Sequence, residues 1–141
     1  MMEANGWNMQ KGDTMADELY DKGMAIRREV LGDDYVDRAT ANVDDFNRDF
    51  QRMVTEFCWG GVWGREGLSR KQRSLNNLCM LTALNRPHEL ETHLRGALRN
   101  GCTIAEIRET LMQAAVYAGI PAGVDAFRIA RKVLDEENSL S

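Results

Sequence analysis

The chain has 141 residues, a length that suits one domain with a buried core. Its formal net charge is −4 at pH 7, so it lacks the overall basic surface typical of nucleic-acid-binding domains. The three cysteines form no CxxC pair and no Cys/His metal spacing, and no apolar run reaches the ~18 residues of a membrane span. We therefore expect a cytoplasmic protein that binds no metal, no nucleic acid and no membrane.

The first segment of the chain lacks a continuous apolar run. Residues 1–13 contain no apolar core and predict a flexible N-terminal extension, which assigns the helical domain to residues 14–141. Asp13 or Thr14 is a suitable cap for a first helix that runs to about Val30.

A second helix is predicted after a glycine-containing break and a short connecting segment, YVDRA. Asn42 caps this helix, which runs from Val43 to about Phe57. Its apolar residues recur at helical spacing, which predicts a buried face. The residues of that predicted face are Phe46, Phe50, Met53, Val54 and Phe57.

Two tryptophans lie in a glycine-rich stretch, CWGGVWGREG, that spans Cys58 to Gly67. Glycine adopts backbone conformations that other residues avoid, so the stretch predicts a loop. Trp59 and Trp63 are candidates to bound a ligand pocket, although aromatic side chains more often only pack in a core.

Two helices follow the tryptophan stretch. Ser69-x-x-Gln72 has the pattern of a capping box and predicts the start of a helix that runs to about Asn85. Pro87 starts the next helix, which ends at Asn100 ahead of a glycine.

His93 is the most informative residue of the second of these helices. It lies at helical spacing among four apolar residues, on the side predicted to be buried. Its unperturbed pKa is near ~6.5, so its environment decides its charge. A core histidine bonded to a neighbour is the plainer interpretation, and a catalytic histidine in a pocket is the functional one. The apolar residues on its side are Leu90, Leu94, Ala97 and Leu98.

The remaining chain predicts two more helices. A second capping box, Thr103-x-x-Glu106, starts a helix to about Ala118, and a last helix covers about 122–137. No strand-like alternation of useful length occurs, so the predicted class is all-α with about six helices. The last helix is predicted to bury Val124, Phe127, Ala130 and Leu134.

Three arginines are candidates to bind an anion. Arg73 lies one turn into a largely apolar helix, and a buried guanidinium requires an anionic ligand or, more often, a structural carboxylate. Arg65 and Arg86 flank the same helix and are surface charges in the plainer interpretation. If the tryptophan loop folds over the helices, Arg65, Arg73 and His93 form a small basic pocket.

Two further side chains have weaker signals. Glu56 is a candidate acid or base, but a lone carboxylate near a helix end is usually solvated. Cys58 is a candidate nucleophile that has no histidine beside it in the sequence. Composition, periodicity and spacing alone therefore support a helical domain with a candidate His/Arg pocket, and no more.

Four stretches carry a resemblance to a known family and cover most of the chain after Asp13. They are VLGDDYVDRA at 30–39, FCWGGVWGREGLSRKQRSL at 57–75, ALNRPHELETHLRGALRNG at 83–101 and YAGIPAGVDAF at 117–127. In their order and spacing they resemble the carboxymuconolactone decarboxylase family, and within it the 4-carboxymuconolactone decarboxylase branch.

The resemblance implies an all-helical alkylhydroperoxidase D-like fold and a homo-oligomer, a trimer or hexamer. It implies cofactor-free decarboxylation of 4-carboxymuconolactone, or a related lactone acid, to 3-oxoadipate enol-lactone in aromatic catabolism. Arg73 would anchor substrate carboxylates, and His93 would stabilise charge on the lactone oxygen, donate a proton to carbon, or do both. The wider substrate-binding set implied is Arg65, Arg86, Trp59, Trp63, Glu56 and Cys58.

Two other functions stay open. In the redox branch of the same superfamily a CxxC pair precedes the histidine, and the corresponding positions here hold Arg86 and Glu89. Without those thiols a peroxidase has no disulfide cycle, which disfavours that function. The third hypothesis is a non-catalytic helical oligomer that binds a small acid, in which the histidine is tied to a structural carboxylate.

Overall fold

The computed structural model describes residues 15–139, and these residues form helices without any strand. The predicted all-α class is therefore confirmed. The predicted extension at 1–13 and the helix cap at Asp13 or Thr14 lie outside the described residues. None of the described helices is long and apolar enough to cross a membrane.

Seven α-helices and one π-helical segment make up the described chain, so the expected number of about six helices was too low. The additional helix is the one interpreted as a short connection, YVDRA. Two aspartates in its first turn favour a helix there, because they interact with the positive end of the helix dipole. The elements are α1 (Met15–Leu31), α2 (Asp33–Ala41), α3 (Arg48–Met53), the π-helical segment (Val54–Val62), α4 (Arg70–Ala83), α5 (Pro87–Arg99), α6 (Ile104–Ala118) and α7 (Ile120–Ser139).

Two hydrophobic clusters form the interior. The cluster among α4, α5, α6 and α7 includes Leu78, Leu90, Leu94, Ala97, Ile107, Leu111, Ala130 and Val133. The cluster between α1, α2 and the π-helical segment consists of Ile26, Val30, Leu31, Val36, Trp59 and Trp63. The clusters meet where α1 crosses α5, because Gly96 brings the two backbones together: a Cβ there would lie 3.2 Å from Val30 Cγ1.

The predicted capping boxes fix the starts of α4 and α6. Ser69 Oγ accepts the Gln72 backbone N–H at 3.1 Å, while the Gln72 side chain bonds to Asn76 instead of returning to Ser69. Thr103 and Glu106 form both halves of the reciprocal box. These caps confirm the two predicted helix starts.

The first half of the tryptophan stretch, Cys58 to Val62, is helical and not a loop, which corrects the sequence prediction. The Trp63 N–H bonds to the Cys58 carbonyl, five residues back, at 2.9 Å, so the helix continues as a π-helix. Gly60 makes this possible because a Cβ there would lie 2.5 Å from the Leu19 carbonyl oxygen. The glycines of the π-helical segment let its wide turn pack directly against α1. The loop is confined to residues 63–69.

The predicted buried face of the second helix was wrong for most of its residues. Val43 to Asn47 precede the helix, and Phe46 is 96% exposed. Thr55, Trp59 and Gly60 are the residues buried within the π-helical segment, which packs on α1. The apolar periodicity is real, but it marks a face directed away from the chain's own core. The exposed residues are Phe46, Phe50, Met53 and Phe57, whereas Val54 is partly buried.

The predicted buried face of α7 was also partly wrong. Val124 and Phe127 are exposed, whereas Ala126, Ala130 and Val133 are buried. Small alanines let α7 approach its neighbours closely, so they occupy the interface that the larger residues were expected to fill.

We predict that Gly23→Ala destabilises the protein although alanine favours a helix interior by about 1 kcal/mol. A Cβ at Gly23 would lie 1.9 Å from the Thr55 carbonyl oxygen. This clash would push α1 away from the π-helical segment. We expect a loss of about 1–3 kcal/mol in the free energy of unfolding, measured by urea denaturation. Gly67→Ala is the control, because a Cβ there meets nothing within 4 Å. Equal stability of the two variants would contradict this account of the helix contact.

Candidate active site

His93 lies on α5 at the boundary between the two hydrophobic clusters. Leu90, Leu94 and Ala97 on its side of the helix are buried in the larger cluster, as the sequence predicted. The His93 ring itself faces Trp59 and Trp63 of the smaller cluster. The helical spacing of α5 therefore places the His93 imidazole where the two hydrophobic clusters meet.

Two indoles stack against this imidazole. The Trp59 and His93 ring centroids are 6.2 Å apart with an angle of 6° between the ring planes. Trp63 lies at the same centroid distance with an angle of 23°, and the two indoles stack on each other at 4.9 Å. The π-helical segment positions both, and their rings remove much of the water from around His93.

Asn77 fixes the tautomer of His93. Its Nδ2 lies 3.3 Å from His93 Nδ1, and an amide nitrogen can only donate, so Nδ1 accepts. The proton of the neutral ring is then on Nε2, which has no hydrogen-bond partner among residues 15–139. The imidazole therefore retains one N–H that is free to bind a ligand.

Burial lowers the pKa of His93 to about 4 from an ordinary value of 6.5. The negative charge of Glu89, one helical turn earlier, opposes this effect but does not overcome it. His93 is consequently a neutral hydrogen-bond donor at physiological pH and not a cation.

Arg73 extends the site along α4. It lies one turn before Asn77 on the same side of the helix, about 6 Å away along the axis. Its Nη2 donates to the Arg65 carbonyl at 3.4 Å, and its buried Nε has no partner among residues 15–139. Arg65 thus contacts the site through its backbone, while its own side chain is exposed.

The other predicted site residues lie elsewhere. Arg86 is exposed at the turn between α4 and α5, where it lines a separate cavity with α7 residues such as Asp125. Glu56 is bound to Arg52 at 2.5 Å. Cys58 is exposed and close enough to Arg27 for that charge to act on its pKa. Of the predicted set, the structure brings together His93, Trp59 and Trp63 directly, and places Arg73 one turn from the histidine's partner.

Sequence analysis missed Asn77 as a site residue. Its contact with His93 depends on how α4 folds back on α5, and residue types alone do not reveal that register. A signal was nevertheless present, because Asn77 follows Arg73 by four residues on a largely apolar helix. Asn77 and His93 are also each eight residues from Asn85, which lies in the turn between α4 and α5.

The thiols are not arranged for redox chemistry. All three cysteines are unpaired, and partial loss of water around the sulfur raises the pKa of each above its ordinary value, at the exposed Cys58 as well as at Cys79 and Cys102. A reactive peroxidase thiol requires a lowered pKa. This finding weighs further against a thiol peroxidase.

Comparisons with known proteins identify the family of this chain. The model of the carboxymuconolactone decarboxylase family matches residues 48–132, which include α4, α5 and both tryptophans. A 4-carboxymuconolactone decarboxylase from Acinetobacter baylyi is 42% identical over 120 residues, covering 85% of this chain and 90% of its own length. The nitrosuccinic acid decarboxylase npaB from Metarhizium robertsii is 42% identical over 124 residues, covering 88% of this chain and 87% of its own. A third match, a 4-carboxymuconolactone decarboxylase from Pseudomonas putida, is 51% identical over 43 residues, which are 30% of this chain and 90% of that sequence.

An all-helical chain whose long relatives are both decarboxylases is an enzyme of the carboxy-lyase class. The chain belongs to the carboxymuconolactone decarboxylase family.

We predict that His93 titrates near pH 4 in the folded protein. Its folded pKa lies below the unfolded value, so the unfolded state binds the proton first and stability falls as pH decreases from 6.5 to about 4. The loss should reach up to about 3 kcal/mol and can be measured by NMR titration together with urea denaturation at each pH. His93→Gln should remove this pH dependence, whereas His88→Gln, at an exposed position, should retain it. A His93 resonance that titrates near 6.5 would show that the ring is well hydrated.

Proposed function

We propose that this enzyme decarboxylates a small dicarboxylic acid that carries its own electron acceptor, without a cofactor, and that 4-carboxymuconolactone is the substrate. The observation that carries the proposal is the neutral His93 imidazole, whose Nδ1 contacts Asn77 on α4 and whose Nε2–H has no partner among residues 15–139. Arg73, one turn before Asn77 on α4, has a buried Nε that also lacks a partner within the described residues. The proposed product is 3-oxoadipate enol-lactone, formed in cytoplasmic aromatic catabolism. The family relationship supports an alkylhydroperoxidase D-like fold for the chain.

The chemistry makes limited demands on the protein. The carbon–carboxylate bond breaks, CO2 leaves, and its electron pair moves through the ring alkene onto the lactone carbonyl oxygen. One proton, taken from a water molecule that enters after CO2 has left, then adds to the dienolate carbon beside the carbonyl and completes the enol-lactone. The protein must therefore hold carboxylates, stabilise an oxyanion and exclude water.

Arg73 supplies the proposed carboxylate anchor. A guanidinium holds a carboxylate through two parallel N–H bonds, and its buried Nε lacks any protein partner. Arg65 contributes its carbonyl, which orients the Arg73 side chain through Nη2. The oriented guanidinium would set the substrate's position relative to His93.

His93 supplies the proposed oxyanion donor. With a pKa of about 4 the ring is neutral at pH 7, so it is a poor acid toward carbon but a competent donor from Nε2. Asn77 holds the tautomer that this role requires. We therefore assign His93 to stabilising the dienolate and Asn77 to positioning His93, while Trp59 and Trp63 lower the local polarity and so strengthen the hydrogen bond.

The names of the two relatives that match most of this chain indicate similar substrates. Nitrosuccinic acid, by its name, carries two carboxyl groups and a nitro group, which accepts an electron pair as a lactone carbonyl does. Both substrates would need an anchored carboxylate and a donor to the acceptor oxygen. The proposed site supplies both the anchor and the donor. The side chains around Arg73 and His93 would select between the substrates.

The exposed apolar surfaces support a homo-oligomer, for which we propose a trimer or hexamer. Phe46, Phe50 and Phe57 form one such surface, and Val116 and Tyr117 belong to another, with Tyr117 87% exposed. Several large apolar side chains exposed close together in the sequence are typical of an interaction site. A second copy of the chain is the proposed occupant of both.

We predict distinct kinetic defects for the two principal residues. His93→Gln should lower kcat by about 10²–10³-fold, because one oxyanion donor is lost. Arg73→Met should mainly raise KM, by about 10–100-fold, because a charged hydrogen-bonded anchor is lost. The kcat and KM of each variant are measured from the decrease in lactone absorbance and from the CO2 released. Circular dichroism checks that each variant is folded.

Arg128→Met is the matched control, since Arg128 is exposed and pairs with Asp125 on α7. It should retain wild-type kinetics. Wild-type rates in both site variants would refute the assignment. Tight binding of the lactone by the wild-type protein without any CO2 release would instead establish the non-catalytic acid-binding hypothesis.

We predict that kcat/KM of the wild-type enzyme is nearly independent of pH between 5 and 7. His93 remains neutral over this interval because its pKa of about 4 lies below it. If the imidazolium were the required acid, kcat/KM would instead rise about tenfold for each unit of decrease in pH. The pH profile of CO2 release therefore distinguishes an oxyanion donor from a proton donor.

A further inference from the structure

A second arginine, distant in sequence from the proposed catalytic residues, is buried without a counter-ion. Arg27 on α1 is 5% exposed. Its Nη1 donates to Gln51 Oε1 at 3.2 Å and to Thr55 Oγ1 at 3.4 Å, both uncharged groups. Its Nε is buried with no partner, and no carboxylate among residues 15–139 forms an ion pair with it.

A buried guanidinium with only neutral partners is energetically unfavourable. Burial lowers the pKa of Arg27, and the groups that oppose this effect are Tyr35, Cys58 and Tyr20, none of which is a carboxylate. Neighbouring Arg28 lowers it further. The described chain therefore leaves this charge uncompensated.

Arg27 lines a cavity of about 510 Å³ between α1, α3 and the segment that precedes α3. Tyr20, Met24 and Val43 give it an apolar wall, and Thr40 and Gln51 add polar groups. His93 and the two indoles do not line it, so it is separate from the proposed catalytic site.

Other charged residues at this cavity are at its exposed rim. Arg48 pairs with Asp45 at 2.7 Å, and Arg52 pairs with Asp17 at 2.8 Å as well as with Glu56. Asp49 also lines the cavity and is exposed. Arg27 is thus the cavity's buried cation, and it is the one that lacks a negative partner.

We propose that this cavity binds a small organic monocarboxylate, whose carboxylate is the counter-ion of Arg27. One uncompensated cation calls for one negative charge, and the planar guanidinium matches the planar carboxylate. A phosphate dianion would leave a buried excess of negative charge, while an apolar body suits the Tyr20, Met24 and Val43 wall. The site is a second acid-binding site, and its existence does not depend on the proposed catalytic function.

Benzoate is a suitable probe because it combines one carboxylate with an apolar ring. The test uses an Arg73→Met background, in which the anchor proposed for the catalytic site is absent. At constant pH and ionic strength, benzoate should raise the melting temperature saturably, by about 3–6 °C at tenfold excess over its dissociation constant. Benzyl alcohol, which has a similar shape and no charge, should not.

Adding Arg27→Met should weaken benzoate binding at least tenfold, whereas adding Arg28→Met should leave it unchanged. Arg28 is the next residue on α1 and pairs with Asp33 and Asp37 on the surface. Arg27→Gln serves the same purpose if the methionine variant does not fold. Three results would overturn the proposal: no saturable shift with benzoate, an equal shift in the Arg27 variants, or an equal shift with benzyl alcohol.

Discussion

The stacking of His93 on Trp59 and Trp63 is the contact on which the proposed site depends. It joins α5, which belongs to one hydrophobic cluster, to the π-helical segment, which belongs to the other. The same contact removes water from the imidazole and so lowers the pKa of His93. Core packing and the chemical state of the candidate catalytic group are therefore set by one arrangement of three rings.

Helical periodicity predicted much of this arrangement. The all-α class and the buried side of α5 followed from apolar spacing, and the starts of α4, α5 and α6 followed from Ser69, Pro87 and Thr103. These features depend on residues within a few turns of each other, and local sequence carries that information. The family resemblance added the class of reaction, which spacing alone did not provide.

The features that sequence did not predict depend on contacts between distant segments. The π-helical segment requires the close approach of Gly60 to α1, and glycine content alone suggested a loop. The apolar face of α3 was predicted to be buried, but it is exposed. Apolar periodicity identifies the apolar side of a helix and does not show what covers that side. Asn77 and Arg27 owe their significance to partners, present or lacking, that only the folded chain defines.

The π-helical segment makes the site sensitive to chain length. A π-helix holds about one more residue in a turn than an α-helix, and this wider turn contains Gly60, whose backbone approaches Leu19 of α1. Deletion of a single residue would restore α-helical winding and rotate the following side chains by about 100° around the axis. Trp63 would then turn away from His93 while the larger cluster stayed intact. Relatives that differ by one residue in this segment would thus share the scaffold and present a different wall to their substrates.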